Sequence, residues 1–167
     1  LGDVYKRQMG LVLGLIRQLH SGRDNQRRRF WRSMISNIPD REDDLVGHTL
    51  LIIGLGAIGE RLARLAKAFG MTVIGIKRDT ATHGGQADEV HSPADLPALL
   101  ERADFVALCC PLTPDTRRII DAAALRAMKP SAYLINVARG GCVHEPALLD
   151  ALSGDWIAGA AIDHFDD

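Results

Sequence analysis

Three glycines in a GxGxxG arrangement occupy residues 54–59 of the chain. The motif follows a short apolar run and precedes residues with helical periodicity. GxGxxG is informative in this context, between a strand and a helix. Gly54 permits a tight turn, Gly56 lets a pyrophosphate approach the backbone, and Gly59 lets the helix pack on the strand. The amides of Ala57 and Ile58 then face the anion. The motif predicts a dinucleotide phosphate site, with an empty glycine-rich turn as the alternative.

A second pair of residues bears on which dinucleotide would bind. The residue that contacts the adenosine ribose lies about 20 positions after the loop. Counting from Ala57 leads to Lys77 and then Arg78. Neither side chain accepts a hydrogen bond, and both attract a phosphate. The pair favours NADP over NAD, although Asp79 is near enough to bind a 2′-hydroxyl and a solvated loop is the alternative.

Short apolar runs alternate with helical stripes along most of the chain. The pattern predicts strands over 48–53, 72–76, 87–90, 105–109, 132–136 and 157–162. It predicts helices over 9–20, 24–34, 57–69, 92–102, 121–128 and 145–152. Strands that alternate with helices indicate an α/β fold with a doubly wound parallel sheet, which is Rossmann-like. Ligands of such sheets bind beyond the carboxyl ends of the strands.

Composition excludes several classes of protein. The 167 residues are 47% hydrophobic with a net charge of −1, which suits one globular domain and no nucleic-acid partner. We interpret the arginine run over 23–32 as a solvated helix face. Three cysteines without a CxxC pattern predict no metal site and a reducing compartment, hence a cytoplasmic protein. The apolar stretch over 9–16 is shorter than the ~20 residues that cross a bilayer, so no membrane partner is predicted.

The ends of the chain suggest a fragment. Residues 1–8 show no periodicity and resemble the translation of a sequencing adapter, so we interpret them as an assembly artefact. Residues 9–46 are then N-terminal helices, and residues 47–167 are an NAD(P)-binding domain. On this interpretation the natural chain is cut at its start, and also after Asp167, where no ending signal occurs.

Beyond the glycine loop, a longer pattern resembles a known family. Residues 111–116 read PLTPDT, residues 128–141 read MKPSAYLINVARGG and residues 159–163 read GAAID. From Met9 to Asp167 the chain closely resembles the cofactor domain of the D-isomer-specific 2-hydroxyacid dehydrogenases. The resemblance implies an oxidoreductase that moves a hydride between NAD(P)H and a 2-oxo acid or D-2-hydroxy acid. It also implies a substrate domain that is largely missing here.

The resemblance assigns roles to particular residues. Arg139 would bind the substrate carboxylate and polarise the reacting carbonyl, a role that suits a planar, permanently charged guanidinium. A surface salt bridge is the alternative for Arg139, and a strand cap is the alternative for Asp163, which would hold the nicotinamide carboxamide. The resemblance places further cofactor contacts at Cys110, Pro111, Thr116, Val137 and Ala138.

Two departures limit what this chain would do alone. The family's proton-donating His and its assisting Glu would lie beyond Asp167, and His164 matches an apolar family position. The fragment is therefore predicted to be inactive. The N-terminal helices resemble a subunit-pairing helix and favour a homodimer through Leu11, Leu15 and Leu19, with core packing as the alternative. A non-catalytic, corepressor-like dinucleotide sensor is the alternative function, and phosphite or formate oxidation on the same scaffold also stays open.

Overall fold

The computed structural model describes residues 3–37, 41–81 and 85–165. The helices are α1 (Val4–Ile16), α2 (Leu19–Arg27), α3 (Ala57–Ala68), α4 (Leu96–Leu100), α5 (Ala122–Ala127) and α6 (Glu145–Ser153). The strands are β1 (Thr49–Ile53), β2 (Thr72–Ile76), β3 (Glu89–His91), β4 (Phe105–Leu108), β5 (Tyr133–Asn136) and β6 (Gly159–Ile162). Short 3₁₀ turns lie at Pro93–Asp95 and Gly140–Cys142. Over the described ranges, no helix combines the length and apolar composition that crossing a bilayer requires.

All six strands are parallel and lie in the order β3-β2-β1-β4-β5-β6. This arrangement confirms the predicted doubly wound sheet. The order reverses between β1 and β4, and a crevice opens beyond the strands' carboxyl ends at such a reversal. The glycine loop follows β1, so the topology places it at this crevice.

Two apolar cores cover the two faces of the sheet. Successive side chains of a strand point to opposite faces. In β1, Leu51 and Ile53 join the core beneath α4, α5 and α6, whereas Leu50 and Ile52 join the core beneath α1 and α3. Because both faces are buried, the strands read as continuous apolar runs in the sequence.

The predicted helix over 24–34 is wrong. Helix α2 ends at Arg27, and residues 30–36 form neither helix nor strand. Arg29 adopts a left-handed backbone with φ 51°, which stops the helix. Beyond it, Trp31 and Met34 are 94% and 86% exposed. A helix in water is stabilised mainly by packing an apolar face, and these side chains stay exposed among the residues that the structure describes.

Helix α1 begins at Val4, five residues before the predicted start, and ends at Ile16 rather than residue 20. Gln18, with φ 47°, separates it from α2. Gln8 is fully buried, and its Nε2 donates to the carbonyl oxygen of Leu108 at 3.1 Å. Residues 3–8 therefore have structure in this chain, while their interpretation as an assembly artefact stays a prediction.

Candidate functional site

The glycine turn after β1 is held by the two neighbouring strands. The amides of Gly54 and Leu55 both donate to the carbonyl oxygen of Ile76, at 3.0 and 2.9 Å. Gly54 has φ +102°, and a Cβ atom there would lie 2.6 Å from the amide nitrogen of Cys110. Only glycine meets both demands, because L side chains rarely adopt this backbone and the space is filled.

The other two glycines differ in what surrounds them. A Cβ on Gly59 would lie 2.5 Å from the carbonyl oxygen of Gly54, so this glycine permits close packing of α3. A Cβ on Gly56 would meet nothing within 4 Å. The space in front of Gly56 is therefore open to a ligand, and the backbone there can be approached closely. This is the arrangement that a pyrophosphate requires.

Helix α3 presents its amino end to that open space. No side chain caps the helix at Gly56, and its hydrogen-bond ladder begins with the amide of Glu60, which donates to the carbonyl oxygen of Gly56 at 2.8 Å. The amides of Ala57 and Ile58 precede this ladder. Such amides, aligned with the positive end of the helix dipole, favour an anion. The residues around the glycine turn thus fit a dinucleotide phosphate.

Lys77 lies at the same sheet edge as the glycine turn. It directly follows Ile76, whose carbonyl oxygen anchors the turn, and its own amide donates to the carbonyl oxygen of His91 at 3.1 Å. Lys77 is half-buried, and Arg78 is exposed. Both positions follow the carboxyl end of β2.

A cavity of about 640 Å³ joins the glycine turn to the ends of β4 and β5. Six of the predicted site residues line it: Ile58, Cys110, Pro111, Val137, Ala138 and Arg139. The Arg139 side chain is exposed at its rim, where Nη1 donates to the carbonyl oxygen of Ala138 at 2.7 Å. A cation therefore stands beside an otherwise largely apolar cavity on the glycine-turn side of the sheet.

Asn136 is a site residue that the sequence analysis did not single out. Its side chain is fully buried, its Nδ2 donates to the carbonyl oxygen of Arg139 at 2.9 Å, and its Oδ1 accepts the amide of Ala138 at 3.0 Å. Both bonds close the loop that carries Arg139. The signal available in the sequence was a polar residue at the end of an apolar strand. A buried amide side chain nearly always has hydrogen-bond partners, so such a residue points to a structural role.

Thr116 and Asp163, two further predicted cofactor residues, also lie outside the cavity lining. The hydroxyl of Thr116 donates to the carbonyl oxygen of Pro111 at 2.6 Å and accepts the amide of Thr113 at 2.7 Å, so it braces the loop after β4. Asp163 follows β6, and its amide donates to the carbonyl oxygen of Asn136 at 2.9 Å. Its carboxylate pairs with Arg7.

Comparison with known proteins places this fold and loop geometry in one family. The family model described as "D-isomer specific 2-hydroxyacid dehydrogenase, NAD binding domain" matches residues 9–167. The chain belongs to this family. The resemblance seen in the sequence is thereby confirmed.

Three relatives illustrate the match. D-3-phosphoglycerate dehydrogenase of Methanocaldococcus jannaschii is 38% identical over 166 residues, which cover 99% of this chain and 31% of that protein. A solved D-isomer specific 2-hydroxyacid dehydrogenase family protein from Aeromonas salmonicida superposes with a TM-score of 0.87 at 34% identity, covering 98% of this chain and 51% of that one. The NADPH-dependent glyoxylate/hydroxypyruvate reductase of Sinorhizobium meliloti, solved with NADP and sulfate, superposes with a TM-score of 0.85 at 28% identity, covering 99% of this chain and 51% of that one. The chain thus spans between 31% and 51% of these relatives.

Two thiols in this dehydrogenase-family domain, Cys110 and Cys142, belong to the same apolar core. The interaction with the Cys110 thiol outweighs burial and lowers the pKa of Cys142 to about 7. The same interaction, together with burial, raises the pKa of Cys110. Burial raises the pKa of the neighbouring Cys109 to about 12.

A larger cavity of about 980 Å³ lies elsewhere, along α2 and the segment after it. Arg29, Phe30, Trp31 and Met34 contribute to its lining, and none of the predicted site residues does. Its walls belong to α2, to residues 29–35 and to Arg41 and Glu42, none of which is part of the glycine turn. The smaller cavity is therefore the candidate active-site crevice.

Proposed function

We propose that this chain is the cofactor-binding domain of an NAD(P)-dependent oxidoreductase that interconverts a 2-oxo acid and a D-2-hydroxy acid. The observation that carries the proposal is the cavity that Ile58 of the glycine turn shares with Arg139. A dinucleotide whose pyrophosphate is anchored at the glycine turn would bring its reactive end toward Arg139. Family membership supports the same activity.

Different residues of the chain would bind different parts of the dinucleotide. The amides of Ala57 and Ile58 hold the pyrophosphate, and Gly56 leaves room for it. Val137 and Ala138 form an apolar wall that orients the nicotinamide ring, and Asp163 accepts a hydrogen bond from its carboxamide. When bound, the nicotinamide supplies or accepts the hydride.

Arg139 provides the substrate side of the site. Its guanidinium pairs with the carboxylate of a 2-oxo acid and draws electron density from the adjacent carbonyl. Asn136 fixes the loop that carries it, which keeps the cation at the cavity rim. Since Arg139 cannot donate its proton at neutral pH, the proton for the developing alkoxide must come from another group. We propose that this group and the substrate domain belong to the full-length enzyme, so the 167-residue chain turns over little alone.

We further propose NADP as the preferred cofactor, on the charges of Lys77 and Arg78 beside the glycine turn. The S. meliloti relative was solved with NADP, which is consistent with this preference. Three free thiols favour the reducing cytoplasm. Leu11 and Leu15 pack partly against their own core, whereas Leu19 is 64% exposed. A homodimer would therefore use Leu19 and the exposed segment over 28–37 more than the first two leucines.

Calorimetric titration of the chain with NADPH and with NADH tests the cofactor assignment. We expect both to bind and NADPH to bind more tightly. The double variant Lys77→Ala/Arg78→Ala should lose roughly tenfold in NADPH affinity, the equivalent of one charge-assisted hydrogen bond, and keep its NADH affinity. Arg23→Ala, which removes an exposed charge on α2, is the matched control. Binding of neither nucleotide would overturn the proposed function, and tighter NADH binding would overturn the NADP preference.

A further inference from the structure

We propose that Glu60 is a specificity-determining residue of the cofactor site, whose carboxylate repels the additional phosphate of NADPH and so limits the preference that Lys77 and Arg78 create. The inference rests on the proposed function, because it concerns the dinucleotide that the glycine turn would bind. It adds a repulsive charge to the two attractive charges described above.

Glu60 lies in the first turn of α3, close to the proposed phosphate site. It is the acidic residue of that turn, and its amide begins the helical ladder just after the amides of Ala57 and Ile58. Each helical residue rises 1.5 Å, so the Glu60 backbone is only about 4.5 Å along the axis from Ala57. Helical side chains tilt toward the amino end of the helix, which brings the Glu60 side chain back toward the glycine turn.

The carboxyl group of Glu60 faces the segment between β2 and β3. A Cβ atom placed on Gly85, in that segment, would lie 3.6 Å from the Cδ of Glu60 and 3.8 Å from its Oε2. Lys67, two turns further along the same face of α3, donates to the carboxylate of Asp88 at 2.7 and 2.9 Å, and Asp88 belongs to the same segment. That segment begins at the carboxyl end of β2, where the adenosine ribose would bind. Glu60 is therefore on the adenosine side of the glycine turn.

A negative charge at this position distinguishes the two cofactors. The 2′-phosphate gives NADPH nearly two negative charges that NADH lacks. At a separation of roughly 10 Å in water, each pair of like unit charges lowers the affinity by about a factor of two. The carboxylate of Glu60 acts on the pyrophosphate of both cofactors alike, so its effect on selectivity comes from the 2′-phosphate.

The same carboxylate is favourable when no anion is bound. No side chain caps α3 at Gly56, and an acidic residue in the first turn stabilises a helix through its dipole. Removing the charge of Glu60 should therefore lower the stability of the chain and raise its affinity for NADPH. A purely structural role would lower both, so the opposite signs identify the role in specificity.

Calorimetric titration of Glu60→Gln with NADPH and with NADH at low ionic strength tests the proposal. We expect the ratio of NADPH affinity to NADH affinity to rise at least about threefold above that of the wild type. The urea unfolding midpoint should fall slightly, because the interaction with the helix dipole is lost. Glu60→Asp keeps the charge and should keep the wild-type ratio. Glu101→Gln removes an exposed carboxylate just after α4, controls for net charge and should also keep that ratio.

Titration at high salt separates the charge of Glu60 from its shape. The Debye length falls from about 10 Å at 0.1 M salt to about 3 Å at 1 M. The rise in the affinity ratio of Glu60→Gln should therefore be largely lost in 1 M sodium chloride. A rise that persists there, or one that Glu60→Asp reproduces at low salt, would overturn the repulsion.

Failure of this inference and failure of the proposed function give different results. An unchanged or lower affinity ratio in Glu60→Gln, when the wild type binds both nucleotides, would overturn the role of Glu60 and leave the proposed function standing. A wild-type chain that binds neither nucleotide would overturn both.

Discussion

A Cβ atom on Gly54 would lie 2.6 Å from the amide nitrogen of Cys110. The turn after β1 and the turn after β4 are thus interlocked at the point where the order of the sheet reverses. Neither turn can move closer to the other, so the floor of the crevice is set by a backbone contact. The same contact explains why this glycine is structural while its neighbour Gly56 faces open space.

Paired glycine substitutions should separate folding from binding. We expect Gly54→Ala to lower the free energy of unfolding by roughly 1–3 kcal/mol, because the new methyl group overlaps the Cys110 backbone. Gly56→Ala should unfold like the wild type and lose roughly tenfold or more in NADPH affinity, since its methyl group fills the space for the pyrophosphate. Urea unfolding and calorimetric titration measure the two quantities. Normal NADPH binding by Gly56→Ala would show that the phosphate lies elsewhere.

Asn136 should stabilise the loop that carries Arg139. Asn136→Ala leaves the buried amide of Ala138 and the carbonyl of Arg139 without their side-chain partner, at a cost of about 1–3 kcal/mol in unfolding free energy. Urea unfolding measures this cost, and Gln26→Ala, an exposed amide on α2, should change it little. If both variants unfold alike, the loop is held by other contacts.

Stability in acid should depend on Glu89. The Arg102 guanidinium, and after it His91, holds the pKa of this carboxyl at about 2, below its ordinary 4.5. A lowered pKa stabilises the fold fully above pH 4.5, and the stabilisation is lost as the pH falls toward 2. Because these groups are exposed, Glu89→Gln should cost less than about 1 kcal/mol near neutrality.

The difference between Glu89→Gln and the wild type should therefore shrink as the pH falls from about 5 to 2. Unfolding midpoints of both proteins measured across this pH range test whether the stability difference shrinks toward acid. Glu101→Gln, at an exposed carboxylate just after α4, controls for the loss of one negative charge. A difference that grows toward acid pH would contradict the Arg102 pairing.

Self-association should depend on the exposed segment over 28–37. Phe30, Trp31 and Met34 are 58%, 94% and 86% exposed, and large exposed apolar side chains of this kind are typical of interfaces. We expect sedimentation velocity to find a dimer that Trp31→Ser weakens at least about tenfold. Leu149→Ser, at a side chain 65% exposed on α6, is the control and should leave the dimer intact. A wild-type chain that stays monomeric at every protein concentration measured would contradict the homodimer proposal.

Local patterns were sufficient to predict the sheet. β2 was predicted over 72–76 and lies at those residues, because its apolar run is bounded by Gly70 on one side and by charged residues on the other. The parallel arrangement followed from alternation and from the handedness of crossovers. The glycine motif is also a local pattern, since its three glycines lie within six residues of chain.

Contacts between distant loops were not predictable in the same way. The placement of Cys142 depends on the bridge between Ile120 and Val143, which no periodicity reveals. The role of Asn136 appears only when its side chain is seen to close the Arg139 loop. The end of α2 coincides with the 94% exposure of Trp31, and exposure is a tertiary property.

The most direct test of the proposed crevice is an amide nitrogen–proton NMR spectrum of the ¹⁵N-labelled chain recorded with and without NADPH. We expect the largest shifts at the amides of Ile58, Cys110 and Val137, which line one cavity, and at the amide of Ala57 beside Ile58. Resonances from the segment over 28–37 should stay in place. Shifts confined to that segment, or none at saturating NADPH, would contradict a dinucleotide site between the glycine turn and Arg139.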